Sequence, residues 1–378
     1  MSLSLALNTA LTSLNVNQRS LSVLSQNIAN ANNKEYSRKI MNQEAVYLQG
    51  TGSGVRIRDI GRRVDEFLQR SVRTQQASFG RAETVSNYTE RLQVLLGRPG
   101  SNNSIYSYST SFFNALQSLS QTPENAALRV NAANLAENTA REMRTLAQGI
   151  YDMQYSIDQD IKRAVDAINT NAREIYALNS TISANRLLGR SVSELEDRRD
   201  THLAEISKLM DIQTYEQSNG VLNVFAANGN SLVDESLYQI SYNAATSPDF
   251  FANQNSTSPM ELYRLDENGN QTGTPAVLVS RGIAGSVVSA VNSGKIRGLI
   301  ELRDRQLPDV IAKLDMLAAT MRDEMNKIHN SGIAFPGAGS YTGTRQVTGD
   351  SFSQWAGQVR IAVLGLDGKP VPANYSDE

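Results

Sequence analysis

Residues 146–182 read LAQGIYDMQYSIDQDIKRAVDAINTNAREIYALNSTI, and this stretch decides the fold. Leu146, Ile150, Met153, Ile157, Ile161, Ala164, Ile168, Ala172, Ile175, Leu178 and Ile182 recur at a mean spacing of ~3.6, the period of a straight α-helix with one apolar face. Just upstream, Thr122-Pro123-Glu124 offers a cap, a proline for the first turn and an early acid. A helix continuous over 123–186 would be about 90 Å long at 1.5 Å per residue. Gly149 is its one weak point. The period of 3.6 favours an antiparallel bundle over a supercoiled pair.

The neighbouring segments supply the rest of that bundle. Residues 65–96 carry a second helical pattern that ends at Gly97-Arg98-Pro99-Gly100. A short helix carries Phe112, Phe113, Leu116 and Leu119. Residues 193–209 form a further helix, opened by Glu194-Leu195-Glu196-Asp197-Arg198-Arg199-Asp200. That charged run, with His202 and Glu205, reads as a solvated face of i,i+4 pairs. The period then changes. Strands are predicted at 212–215, 221–225 and 237–240, with turns at Asn219-Gly220, Asn228-Gly229 and Asn268-Gly269. Helices return over 283–330, broken by a turn at 294–299. Beyond Gly332 the chain becomes glycine-rich, with a strand at 359–363 and an Asp367-Gly368 turn. The expected fold is mainly α with a β-rich portion, an elongated helical bundle or coiled-coil rod with inserted antiparallel β segments.

The N-terminus follows a different rule. Leu7, Leu14, Leu21 and Ile28 repeat at steps of seven, interleaved with Leu3, Ala10, Asn17, Leu24 and Ala31. This a/d seam calls for a partner helix. Asn17 within it would set register. Burying Leu3, Leu7, Leu14, Leu21, Leu24 and Ile28 is worth roughly 10 kcal/mol before ordering entropy. No second heptad seam appears in 330–378, so residues 1–30 are expected to be mobile until a partner arrives. Asn30, Asn32 and Asn33 end the helix. Arg56 and Arg58 alternate with Val55 and Ile57 in a short strand, and with Arg62 and Arg63 they form a small basic cluster, read as a wet face.

Composition removes most chemistries. Cysteine is absent, so there is no disulfide, thiolate metal site or cysteine nucleophile. His202 and His329 are the only histidines, too few for a multi-histidine metal site. A net charge of −2 argues against a nucleic-acid binder. No apolar run approaches the ~20 residues of a membrane span. No basic segment precedes an apolar one at the start, so no cleaved signal peptide is expected. Ser293-Gly294-Lys295 falls short of a phosphate loop, since Ser289 and Ile296 stand where glycine and a metal-binding hydroxyl are needed. Asp266-Glu267-Asn268-Gly269-Asn270 falls short of a calcium loop, with Gln271 and Val277 at the deciding positions, and reads as a polar hairpin tip. No catalytic, cofactor or metal residue is predicted.

Asn27-Ile28-Ala29-Asn30-Ala31-Asn32 running into Tyr36-Ser37-Arg38, directly after the amphipathic helix, resembles the signature of bacterial flagellar axial proteins. Asn27, Asn30, Asn32, Tyr36, Ser37 and Arg38 match it; Glu35 replaces its usual glycine. Three further stretches are similar to the hook–filament junction branch of that family. They are Leu195-Glu196-Asp197-Arg198-Arg199-Asp200 with Ala227-Asn228-Gly229-Asn230, Ser293-Gly294-Lys295-Ile296-Arg297-Gly298-Leu299, and Asn326, His329 and Gly332. Rod and hook proteins of the family, or a coiled-coil adhesin or signalling rod, fit less well.

The resemblance implies a structural subunit without turnover and without cofactors, self-associating into a helical or ring layer. Its implied partners are the hook protein, a second hook–filament junction protein, and the flagellar type III export apparatus with an export chaperone. Its implied location is the extracellular flagellum. Family members end in a long helix that pairs with the N-terminal one. None is visible here, so a C-terminally truncated chain is expected. The expected division is 1–40 as the inner-tube segment, 41–210 with 281–332 as the long-helix bundle, 211–280 as the β-rich portion, and 333–378 as the start of a further β domain.

Overall fold

The computed structural model describes residues 3–48, 51–98, 101, 104–253, 258–281, 287–289 and 291–331. The expected strand at 359–363, the turn at Asp367-Gly368, Gly332 and the whole 333–378 segment lie outside them. The chain divides into two compact units, Met1–Ala312 and Lys313–Glu378.

The first unit is mainly helical with a β-rich portion. Its elements are α1 (Leu3–Ala29), β1 (Lys39–Leu48), β2 (Thr51–Arg62), α2 (Glu66–Leu96), α3 (Ile105–Gln121), α4 (Ala126–Leu187) and α5 (Ser193–Leu209). There follow β3 (Ile212–Glu216), β4 (Leu222–Ala226), β5 (Ser231–Val233), β6 (Tyr238–Ser241), α6 (Asp249–Asn253), β7 (Met260–Leu265), β8 (Gln271–Arg281), β9 (Val287–Ser289) and α7 (Gly294–Glu301). A π-helical turn, Leu302–Gln306, leads into α8 (Leu307–Ser331), whose residues 313–331 are the described part of the second unit.

α4 is the continuous helix that its 3.6-residue stripe predicts. Ile150, Ile157, Ile161, Ile168, Ile175 and Ile182 are fully buried along it, and Gly149 does not break it. Its start differs from expectation. Thr122 closes α3, while the Asn125 side chain caps α4 by accepting from Ala127 N at 2.9 Å and Leu128 N at 3.3 Å. Pro123 therefore sits in the connection, where its missing N–H costs nothing. α2 begins as expected at Asp65, whose carboxylate accepts from Phe67 N and Leu68 N at 3.0 Å.

Residues 294–299 are a helix, not a turn. Ile296, Leu299 and Ile300 of α7 bury themselves in the main core, which overrides the local glycine signal. Gly294 at φ +88° is required: a Cβ there would lie 2.4 Å from the Leu209 carbonyl oxygen. The phosphate-loop resemblance ends here too. The Asp211 carboxylate takes the amides that would greet a phosphate, Asn292 N at 3.0 Å and Ser293 N at 3.2 Å.

The strands form antiparallel sheets ordered β1-β2, β3-β4-β5 and β6-β7-β8-β9. β1 lacks clean alternation in sequence and was not foreseen; it pairs with β2 from Lys39↔Arg62 to Leu48↔Thr51. The Asn-Gly turns close as predicted, with Gln217 N to Val221 O at 2.8 Å, Ala226 N to Asn230 O at 2.8 Å and Asp266 N to Asn270 O at 2.9 Å. Two asparagines splice sheets onto α4. Asn169 donates to Ile240 O and accepts from Ile240 N, both at 2.8 Å. Asn179 does the same with Leu222 O at 2.8 Å and Leu222 N at 3.1 Å. Each amide stands in for a missing strand partner, so the backbone N–H and C=O of Ile240 and of Leu222 are paired where the strands meet the helix.

Candidate assembly interface

α1 has two faces, and they have different fates. Leu7, Leu11, Leu14, Leu21, Leu24 and Ile28 are exposed, each by more than half. The opposite face, through Thr12, Val16 and Val23, packs on the β1–β2 hairpin. The approach is close: a Cβ on Gly54 would lie 2.5 Å from the Thr12 hydroxyl oxygen. The helix thus has a partner within the chain, which corrects the expectation that 1–30 gain order only from outside. The β-branched face provides that support, so the leucine seam stays free. The side chain of Leu3 lies outside the described residues.

The axial signature forms a clip between α1, the hairpin and α5. The Asn27 amide donates to Lys39 O and accepts from Lys39 N, both at 2.9 Å, the same strand-mimicking pattern as Asn169 and Asn179. The Tyr36 hydroxyl donates to the Asn27 Oδ1 at 2.9 Å. The Ser37 hydroxyl donates to Asp197. Asn30 closes the helix end, its amide donating to Gln26 O at 3.0 Å. The Arg38 carbonyl accepts from Arg63 N at 2.9 Å. Asn32 stands exposed in the turn.

Charge completes the clip. Lys39, 5% exposed, lies over the Tyr36 ring at 4.9 Å and pairs with Glu194 at 3.0 Å. Arg62 pairs with Glu196 at 2.8 Å, Asp197 at 3.0 Å and Asp200 at 2.7 Å. The start of α5 is therefore no solvated face, and Arg62 is no wet strand residue: Glu196 and Asp197 are under 10% exposed and Arg199 is 1% exposed. A signal for this was present. Glu196, Asp197 and Asp200 run at helical spacing into the buried Leu203 and Ile206, so they share the core-facing side. His202 is half-buried, its Nδ1 2.8 Å from Asn171 Oδ1, while Glu205 remains on the surface beside Lys208 at 2.5 Å. Among the described residues no cluster of His, Asp and Glu could hold a metal ion.

Burial alone would raise the Glu196 carboxyl pKa, but the Arg186 hydrogen bond and the charges of Arg62, Arg186 and Arg199 hold it below the usual range. A carboxylate depressed in the folded state stabilises above its unfolded pKa and loses that contribution as pH falls through the folded value. Arg62→Met should thus cost about 2–3 kcal/mol at pH 7, somewhat under the cost of breaking a fully buried pair. The deficit should shrink below about pH 4, as Glu196 takes up its proton and the Arg62 pairing is lost from the parent chain too. Urea unfolding at both pH values checks this; an equal deficit at both would assign the loss to packing.

Residues 89–344 match the family described as flagellar hook-associated protein FlgK helical domain, and the chain belongs to that family. It is similar to flagellar hook-associated protein 1 of Escherichia coli strain K12, with 26% identity over 339 residues, covering 86% of this chain and 57% of that protein. It is likewise similar to flagellar hook-associated protein 1 of Bacillus subtilis strain 168, with 24% identity over 397 residues, 98% of this chain and 76% of that one. The flagellar hook junction protein FlgK of Burkholderia pseudomallei aligns in structure at a TM-score of 0.46 and 20% identity, over 62% of this chain and 38% of that chain. The chain spans a little over half the length of the enterobacterial relatives it matches.

Proposed function

We propose that the chain is a structural subunit of the bacterial flagellum at the junction of hook and filament, working by helical assembly rather than turnover. The observation that carries this reading is the two-faced α1. Its exposed leucine seam needs an external helix, and the clip through Asn27, Tyr36, Ser37, Lys39 and Arg62 holds it in fixed orientation to α5. Association of repeated copies through unlike surfaces builds open helical stacks. Leu7, Leu14, Leu21, Leu24 and Ile28, with Leu3, are the proposed assembly contacts; Asn27, Asn30, Asn32, Tyr36, Ser37 and Arg38 are the proposed positioning residues.

In this reading 1–40 is the inner-tube segment, the long helices form the wall, and 211–280 is the β-rich portion. The proposed partners are further copies of the chain, the hook protein, a second hook–filament junction protein, and the type III export apparatus with a chaperone. The proposed location is the extracellular flagellum, reached without a cleaved signal peptide. Relatives that carry the hook-associated name over most of this chain support the reading. Electron microscopy of cells lacking the protein tests it. Hooks without filaments are expected, and intact filaments on such cells would exclude the assignment.

A further inference from the structure

Residues 294–331 are helical throughout, and a proline lies in their interior. Pro308 has α7 and the π turn before it and the rest of α8 after it. In an unbroken α register its ring would collide with the carbonyl of Asp304, four residues back. The helix widens at that place: Leu307 N–H bonds to Leu302 O, five residues back. One backbone group then has to be accounted for. The Arg303 carbonyl has two amides within helical reach. That of Leu307 goes to Leu302 O, and Pro308 has no N–H.

α4 supplies the hydrogen bond instead. Gln154 Nε2 donates to Arg303 O at 2.9 Å, and both residues are buried. The other end of the same amide gains nothing, since Gln154 Oε1 is buried with no hydrogen-bond partner among the described residues. A buried amide satisfied at one end is costlier than an apolar side chain of the same shape, unless the bond it makes is needed. What position 154 gains from glutamine is therefore its N–H. One turn further along α4, Asp158 takes the Arg303 guanidinium at 2.5 Å. Successive turns of α4 thus hold the backbone and the side chain of one residue.

We propose that Gln154 is a positioning residue that latches the π turn, making 302–308 a joint at the root of α8. Pro308 removes an N–H from the helix, and the Gln154 amide replaces it across the core. With the latch closed, α8 starts in a fixed register on α4. With it released, the helix offers the Arg303 carbonyl no amide, and the joint opens to water as a local unit while α4 stays folded. This inference is independent of the assembly reading.

The test is hydrogen exchange of the full chain, read by mass spectrometry over 300–312 and, for comparison, over 161–175 of α4. Gln154→Met keeps the length of the side chain without the donor. It should speed exchange over 300–312 by about tenfold and leave 161–175 within about twofold of the parent. Pro308→Ala returns an N–H to the helix, so in that background the same Gln154→Met change should have an effect of about twofold or less. Equal acceleration in both backgrounds would show that position 154 acts by packing, and would overturn the latch. So would equal acceleration over 161–175, or none over 300–312. If Gln154→Met alone does not fold, a folded double variant supports the latch, and failure of both overturns it.

Discussion

Replacing Arg303 with leucine is expected to destabilise the first unit by about 4 kcal/mol, the scale of a buried pair broken on one side. Arg303 lies in the π-helical turn and is 3% exposed. Its Nη1 donates to Asp158 at 2.5 Å and to the Tyr242 hydroxyl, and its Nε and Nη2 reach the two oxygens of Asp304 at 2.7 and 2.9 Å. The Tyr242 hydroxyl also donates to Asp158, which takes Ala245 N at 2.6 Å as well. Burial works against the Arg303 charge, but the hydrogen bonds and charge of Asp304, with Tyr242 and Asp158, hold its pKa above the ordinary value. Burial, with the Asp158 charge, also raises the pKa of Tyr242. Leucine would leave two acids buried beside it with no cation. Adding Asp158→Asn should recover part of the loss, giving a coupling of about 2 kcal/mol or more in a double-mutant cycle by urea unfolding. Additive losses would mean that the pair acts through packing alone.

Ile168→Asp should cost about 5 kcal/mol, comparable to the whole stability of a modest domain. Ile168 is fully buried in the middle of α4, in the same core as Leu203 and Ile206 of α5 and Ile240 of β6. The substitution removes the apolar contact and strands a carboxylate where no described cation faces it. Ile168→Val, which only trims a methylene, should cost about 1 kcal/mol. A loss of under 1 kcal/mol for the aspartate would place position 168 at solvent and shift the register of the whole stripe.

Legibility in the sequence followed the range of the forces involved. The α4 stripe, the 65–96 helical pattern, the α5 bounds and the Asn-Gly turns are local: each follows from residues within a few positions, through helical period or turn chemistry. The leucine seam of α1 is equally local, and the signature Asn27 to Arg38 was readable as a motif. Apart from the start of α4, where Asn125 takes the cap expected of Thr122, the misread features depend on distant partners. The acidic run of α5 counted as solvated because its cation, Arg62, is more than a hundred residues away in the chain. Residues 294–299 counted as a turn because the core that receives Ile296, Leu299 and Ile300 is assembled from α4, α5 and the sheets. β1 was overlooked because its pairing with β2, not its own alternation, makes it a strand.

By itself, then, the sequence determined that 65–96, 146–182 and 193–209 are helical and which face of α1 is the apolar seam. Periodicity encodes those directly. Only the tertiary structure decided that the other face of α1 is the one already covered, by a hairpin through Thr12, Val16 and Val23. It alone decided that Asn27 grips β1 and that Ser37 binds α5, because an asparagine or a serine in a turn has many equivalent acceptors in an open chain. Folding narrows these to one, when burial removes water as the competing partner.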